Sequence, residues 1–242
     1  MSQEDSISVI TATYNAEEHL PELISSLREQ IDKNFEWVIA DGASTDKTLE
    51  LIRSISDMNI KLISQADFGI YDALNRGIKN SSGRFYLVVG ADDVLFPNAI
   101  KDYRAAIADQ DNTDIVTAWV DTERGILKPR RLPASWSGMP HYVSGHAVGS
   151  LIKKELHAKY GYYARNYPIT ADQHFMLKAI KNGASVKVNG VLVGRYNLTG
   201  LSAADLLGTT TELARVMISL GFNKYLQIIF MIVRLLKNIG KF

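Results

Sequence analysis

The chain has no cysteine among its 242 residues, which excludes a disulfide framework, a thiolate zinc site and a cysteine nucleophile together. Any metal must then be held by carboxylates or histidines, so a hard divalent cation is expected. Net charge is almost absent too: 27 Lys+Arg stand against 26 Asp+Glu. Proteins that track phosphate backbones carry a strong basic excess, so nucleic acid is not the expected partner. The opening MSQEDSISVI has early acids and no long apolar stretch, unlike a secretory signal, and a cytoplasmic chain is expected. The length allows one large domain or two small ones with a real core.

What is present is alternation. Short β-branched or apolar runs at 7–12, 36–40, 60–64, 85–89 and 114–118 are separated by stretches of helical period at 17–30, 46–56, 70–80 and 97–108, the last opened by Pro97. This is the pattern of βα units feeding a parallel sheet with flanking helices. Beyond Trp119 the alternation stops. Polar and basic segments with Pro129, Pro133 and Pro140 precede a helix at 171–182 and a strand pair around 185–196, and this half is expected to cap the sheet without extending it. The last 19 residues carry Lys224, Arg234, Lys237 and Lys241 with no acid, around the apolar run Tyr225–Val233. That run is shorter than the ~20 residues of a spanning helix; it reads as a cationic amphipathic helix on an anionic membrane, or as a core or dimer helix.

In open parallel sheets, ligands bind beyond the carboxyl ends of the strands. The segments to inspect are therefore Thr11–Asn15, Asp41–Asp46, Asp67–Asn75 and Gly90–Asp93, expected along one rim. Adjacent buried aspartates repel and lose hydration, so Asp92 and Asp93 suggest a cation, with helix capping before Pro97 as the alternative. On extended backbone their side chains are expected to point apart.

TATYNAEEHL, DGASTDKT and DFGIYDALNRGIKNSSGRFYLVVGADD, in this order, closely resemble the family 2 glycosyltransferases of the GT-A fold over roughly residues 6–202. FGIYDALNRGI is similar to a bacterial subgroup that builds cell-surface polysaccharides. The resemblance implies inverting transfer of a sugar from a nucleotide-diphosphate donor, favouring a UDP-sugar, with Mn2+ or Mg2+ at the diphosphate. Carried over by position, Thr13 and Tyr14 would line the base and ribose pocket, Asp41 would accept from the base, Asp92 would face the ribose and Asp93 would bind the metal. Tyr14 could instead be core, and Asp41 or Asp46 could cap the following helix. Asp172, where a helical pattern begins, matches the catalytic base, although Ala171 stands where the family often has Glu; an acid favoured by the helix dipole is the alternative.

His146 matches a subgroup histidine that could meet metal, diphosphate or acceptor, or be a satisfied core residue, and Gly200 and Ser202 resemble a Gly-x-Ser element that closes over the donor. Lys128, Arg130 and Arg131 could attract a phosphate-bearing acceptor or form a solvated loop. The Gln-x-x-Arg-Trp signature of processive synthases is missing, which favours addition of one sugar. The expected organisation is a glycosyltransferase domain at 1–204, with a donor half (1–118) and an acceptor half (119–204), then a helical segment at 205–242. The acceptor would be a glycan or a lipid-linked intermediate at the inner membrane face, and a homo-oligomer is compatible. Two rivals are a sugar-phosphate nucleotidyltransferase, disfavoured by the glycine-free loop after the first strand, and a non-catalytic glycan- or nucleotide-binding module.

Overall fold

A computed structural model describes residues 6–108, 112–197 and 205–241. The first four strands lie where the apolar runs place them: β1 (Ile7–Thr13), β2 (Phe35–Asp41), β3 (Ile60–Ser64) and β4 (Phe85–Val88). Between them run α1 (Leu20–Arg28), α2 (Thr48–Arg53) and α3 (Ile70–Asn80). Helix α1 starts later than its periodicity suggests. The backbone N–H groups of Ala16 and Glu17 are given to Thr48 Oγ1 and Asp46 Oδ2 at the start of α2, at 2.7 and 3.1 Å. There follow β5 (Val94–Leu95), α4 (Ala99–Ala108), β6 (Ile115–Asp121), the short α5 (Ala134–Ser137), β7 (Ser150–Lys153), α6 (Leu156–Tyr160), α7 (Ala171–Lys181), β8 (Val186–Arg195), α8 (Leu206–Ser219) and α9 (Lys224–Lys237).

The eight strands form one sheet in the order β3-β2-β1-β4-β7-β6-β8-β5. Strands β3, β2, β1 and β4 are mutually parallel, β7 runs antiparallel to both β4 and β6, β8 is parallel to β6, and β5 is antiparallel to β8. The expectation that the chain beyond Trp119 leaves the sheet unextended is therefore overturned. The four-residue β7 is too short to show alternation, yet it joins β4 to β6. The expected strand pair at 185–196 is one long strand: Asn189 and Gly190 do not turn the chain back but lie at a register shift, where Ala118 faces Asn189 and Trp119 faces Leu192.

Because strand side chains alternate faces, each central strand feeds two cores. Val9, Trp37 and Leu87 pack on one side with Leu23, Leu27 and Tyr103 of α1 and α4. Ile10, Val38 and Tyr86 pack on the other with Leu74, Phe175 and Val216 of α3, α7 and α8. Burial on both faces accounts for the near-continuous apolar strands. It also leaves their carboxyl ends as the place where polar groups gather.

Candidate active site

At the ends of β1 and β2, Asp41 is fully buried and saturated. Its carboxylate accepts from Thr13 Oγ1 at 3.0 Å, from the backbone N–H and hydroxyl of Ser44, and from Ser64 Oγ at 2.7 Å. Burial alone would raise its pKa, but the bonds from Ser44, Ser64 and Thr13 win and hold it below the ordinary aspartate value. Four bonds fill the acceptor capacity of a carboxylate. Asp41 thus braces the loop after β2, and Arg76 of α3 ties it further by donating to the Asp41 carbonyl at 2.8 Å. Two non-glycine residues here adopt left-handed backbone, Asn15 (φ 48°) and Ala43 (φ 63°). Asn15 is held by reciprocal bonds, its N–H to Ser44 Oγ and its Oδ1 from Thr45 N, both 2.9 Å. Tyr14 is not core: it is 68 % exposed over this loop.

Asp92 and Asp93 follow β4 at a turn, and the turn corrects the expectation that their side chains diverge. A Cβ built on Gly90 would lie 2.8 Å from Asp93 Oδ2 and 2.9 Å from Asp92 Oδ1, so both carboxylates converge on one point that only glycine leaves open. Asp93 is 1 % exposed and accepts from the Gly90 and Asn197 N–H groups at 2.8 and 3.1 Å. Burial and the neighbouring Asp92 charge push its pKa up to about 7. No Lys or Arg among the described residues pairs with either carboxylate. Two convergent oxygens without a counter-charge fit a hard divalent cation, which takes one or two carboxylates and completes its shell with water and phosphate oxygens. No group of three or more His, Asp or Glu gathers in ligating range among the described residues.

A cleft of about 330 Å³ opens beside this pair, lined by Asp92, Asp93, His146, Asp172, Tyr71 and Gln173 among others. Asp172 lies in the first turn of α7, and its Oδ1 accepts from Tyr71 OH at 2.7 Å. Burial and the Asp172 charge hold the Tyr71 phenol protonated, well above its ordinary pKa, so Tyr71 orients the carboxylate as a donor. Oδ2 takes no hydrogen bond from a described residue. Glu212 of α8, buried behind the helix start, accepts from the Ile169 and Thr170 N–H groups, each at 3.0 Å.

His146 ends a directed chain of hydrogen bonds. The Gly161 carbonyl can only accept, so the His157 nitrogen 3.1 Å away, Nδ1, carries a proton. Burial, against the bond to the Gly161 carbonyl and with the nearby Lys154 charge, brings the His157 pKa down to about 4. Its Nε2 is then a bare acceptor and takes the Tyr86 hydroxyl at 2.7 Å. Tyr86 accepts from Tyr163 at 2.8 Å, and Tyr163 accepts from His146 Nε2–H at 2.6 Å. Burial also lowers the His146 pKa despite the Asp172 charge. His146 is consequently the Nε2–H tautomer, with Nδ1 left as its lone-pair nitrogen. The loop that presents it is strained at Val148 (φ 61°), a β-branched residue in left-handed backbone.

The cleft thus brings together Asp92, Asp93, His146 and Asp172, while Thr13, Tyr14 and Asp41 lie at the neighbouring loops and do not line it. Gly200 and Ser202 fall outside the described residues. Sequence reasoning missed Tyr71, Tyr163 and Glu212. Tyr71 sits inside FGIYDALNRGI, so a signal was present; Tyr163 and Glu212 gain their roles only through contacts across the fold.

The mixed sheet with its flanking helices has the GT-A fold of its structural neighbours. Residues 8–166 match the model of glycosyl transferase family 2, and the chain belongs to that family. It is 29% identical over 206 residues to a PGL/p-HBAD biosynthesis glycosyltransferase of Mycobacterium bovis, covering 80% of this chain and 77% of that one. Among solved structures it is similar to S. aureus TarS 1–349 in complex with UDP, at TM-score 0.69 and 22% identity, covering 97% of this chain and 72% of that one. It is also similar to the mannosyltransferase PcManGT of Pyrobaculum calidifontis in complex with GDP-Man and Mn2+, at TM-score 0.71 and 17% identity, covering 97% and 75%.

Proposed function

We propose that this glycosyltransferase moves one sugar, with inversion, from a UDP-sugar to a glycan or lipid-linked acceptor in the synthesis of a bacterial surface polysaccharide. The observation that carries the reading is the cleft itself: a convergent carboxylate pair with no counter-charge among the described residues, and in the same cleft a third carboxylate with one oxygen that no described residue engages. Asp92 and Asp93 would hold Mn2+ or Mg2+ against the donor diphosphate. A divalent cation bound there neutralises the charge that develops on the leaving diphosphate. Asp172 takes the proton of the acceptor hydroxyl as it attacks the anomeric carbon, and Tyr71 fixes the carboxylate for that transfer. His146 Nδ1 offers an acceptor to a sugar or acceptor hydroxyl. Residues 1–118 would serve the donor and 119–204 the acceptor, with work at the inner face of an anionic membrane. The complex of TarS with UDP supports a uridine donor, and that of PcManGT with GDP-Man and Mn2+ supports a metal-assisted nucleotide sugar.

A thermal-shift screen of nucleotide sugars with and without Mn2+, followed by detection of released UDP, tests the reading. Stabilisation by a UDP-sugar that requires the metal, with UDP release on adding acceptor, is expected. Sustained pyrophosphate release from a nucleoside triphosphate and a sugar phosphate would replace it with the nucleotidyltransferase alternative.

A further inference from the structure

Helix α9 is built inside out. In a helix that packs on a globular core the apolar stripe faces inward. Here two polar residues, Gln227 and Arg234, face the protein beside Phe230, with Gln227 only 1 % exposed. Tyr225, Ile228, Ile229, Ile232 and Leu236, and Ile239 just beyond, recur at helical spacing on the opposite side and are open to solvent. No helix among the described residues is long and apolar enough to cross a membrane.

The inward face holds α9 to a wall of the cleft. Gln227 Nε2 donates to the Ser135 carbonyl at 2.8 Å, Arg234 donates to the Trp136 carbonyl, and Phe230 meets the Trp136 ring edge-on at 4.5 Å. The segment so gripped runs on directly into Met139 and Pro140, which line the cleft together with Arg130. The Arg234 guanidinium and the Lys237 ammonium both lie over Trp136, 5.3 and 5.9 Å from the ring centre. Residues 124–140 add Arg124, Lys128, Arg130 and Arg131 with no acid, as the last 19 residues also have none. Among the described residues no carboxylate pairs with Arg130, Arg131, Lys224, Arg234 or Lys237. Burial and the Arg130 charge lower the proton affinity of Arg234, as expected of cations crowded without a counter-ion.

We propose that the outer face of α9, with Lys224 and Lys237 at its ends and the cations of residues 124–140, docks in the plane of an anionic phospholipid surface and so presents the cleft to that surface. The apolar stripe enters the acyl boundary, the cations meet lipid phosphates, and Trp136 and Tyr225 sit at the headgroup level that suits their rings. A second copy of the chain fits this face poorly. A two-fold interface sets the same patch against itself, which would bring cation to cation with no acid in either segment. For biological purpose the proposal rests on the proposed acceptor: a lipid-linked acceptor would reach Asp172 by lateral diffusion along the surface that holds the enzyme.

The test is co-sedimentation of the full chain with phosphatidylcholine vesicles, with and without phosphatidylglycerol, with no donor present. Wild type is expected on the anionic vesicles and to be released by high salt. I229E/I232E is expected to lose at least tenfold in binding while keeping its melting temperature and metal-dependent UDP affinity. K224Q/K237Q, which spares the apolar stripe, is expected to lose several-fold per charge on anionic vesicles only. Equal binding by wild type and I229E/I232E would overturn the proposal. So would a wild-type dimer that I229E/I232E converts to a monomer without any vesicle binding. Should the nucleotide-sugar screen find no UDP-sugar that stabilises the protein while wild type still binds anionic vesicles, the donor reading fails and the docking face stands.

Discussion

The β1–β2 loops and the cleft beside β4 treat a buried carboxylate in opposite ways. Asp41 is surrounded by hydroxyls and an amide that satisfy it completely, and its pKa is held down. Asp93 is nearly as buried, has two backbone donors and a like charge beside it, and its pKa is pushed up. The difference separates a carboxylate that shapes a loop from one whose charge no described Lys or Arg balances. Saturation makes structure, and deficiency makes a site.

Four experiments break or sharpen that contrast. Asp172→Asn removes the acceptor of a proton and adds no bulk, so transfer is expected to fall by about 10²–10⁴ with donor affinity intact; equal turnover by wild type and variant would remove Asp172 from the mechanism. Acid should act next on the hydrogen-bond chain behind His146. His157 has a pKa of about 4 folded and about 6.5 unfolded. Between those values the unfolded chain holds more protons, so stability is complete above pH 6.5 and is lost as pH falls toward 4, by up to about 3 kcal/mol. Urea titrations across that range check it, and His157→Phe should flatten the slope. Asp41→Asn sets an amide N–H donor against existing donors and should cost about 1–3 kcal/mol of unfolding free energy, with the dependence of donor binding on Mn2+ retained. Gly90→Ala should do the reverse. Its Cβ displaces both carboxylates, weakening metal-dependent UDP binding by about ten- to a hundredfold in calorimetry with little change in melting temperature.

Much of this molecule is legible in its sequence, for physical reasons. The first four strands are buried on both faces, so their apolar runs stand out, and Ile60–Ser64 and Ile70–Asn80 fall where periodicity puts them. The acids of the site were visible because each follows a strand or opens a helix. Strand β7 was not visible, since four residues carry no period and its place between β4 and β6 depends on pairings far along the chain. The turn at Gly90 carries no local signal that separates it from extended backbone, and it sets the direction of Asp92 and Asp93.

The sequence by itself determined the sheet's first half, the family and the residues that carry charge into the site, because local period and short motifs encode them. Only the tertiary structure decided which acids are satisfied and which are not. Hydrogen-bond partners such as Ser64 for Asp41, Tyr71 for Asp172 and Tyr163 for His146 come from elements distant in sequence. It also decided that α9 turns its isoleucines outward, since which face of an amphipathic helix is covered depends on what lies beside it.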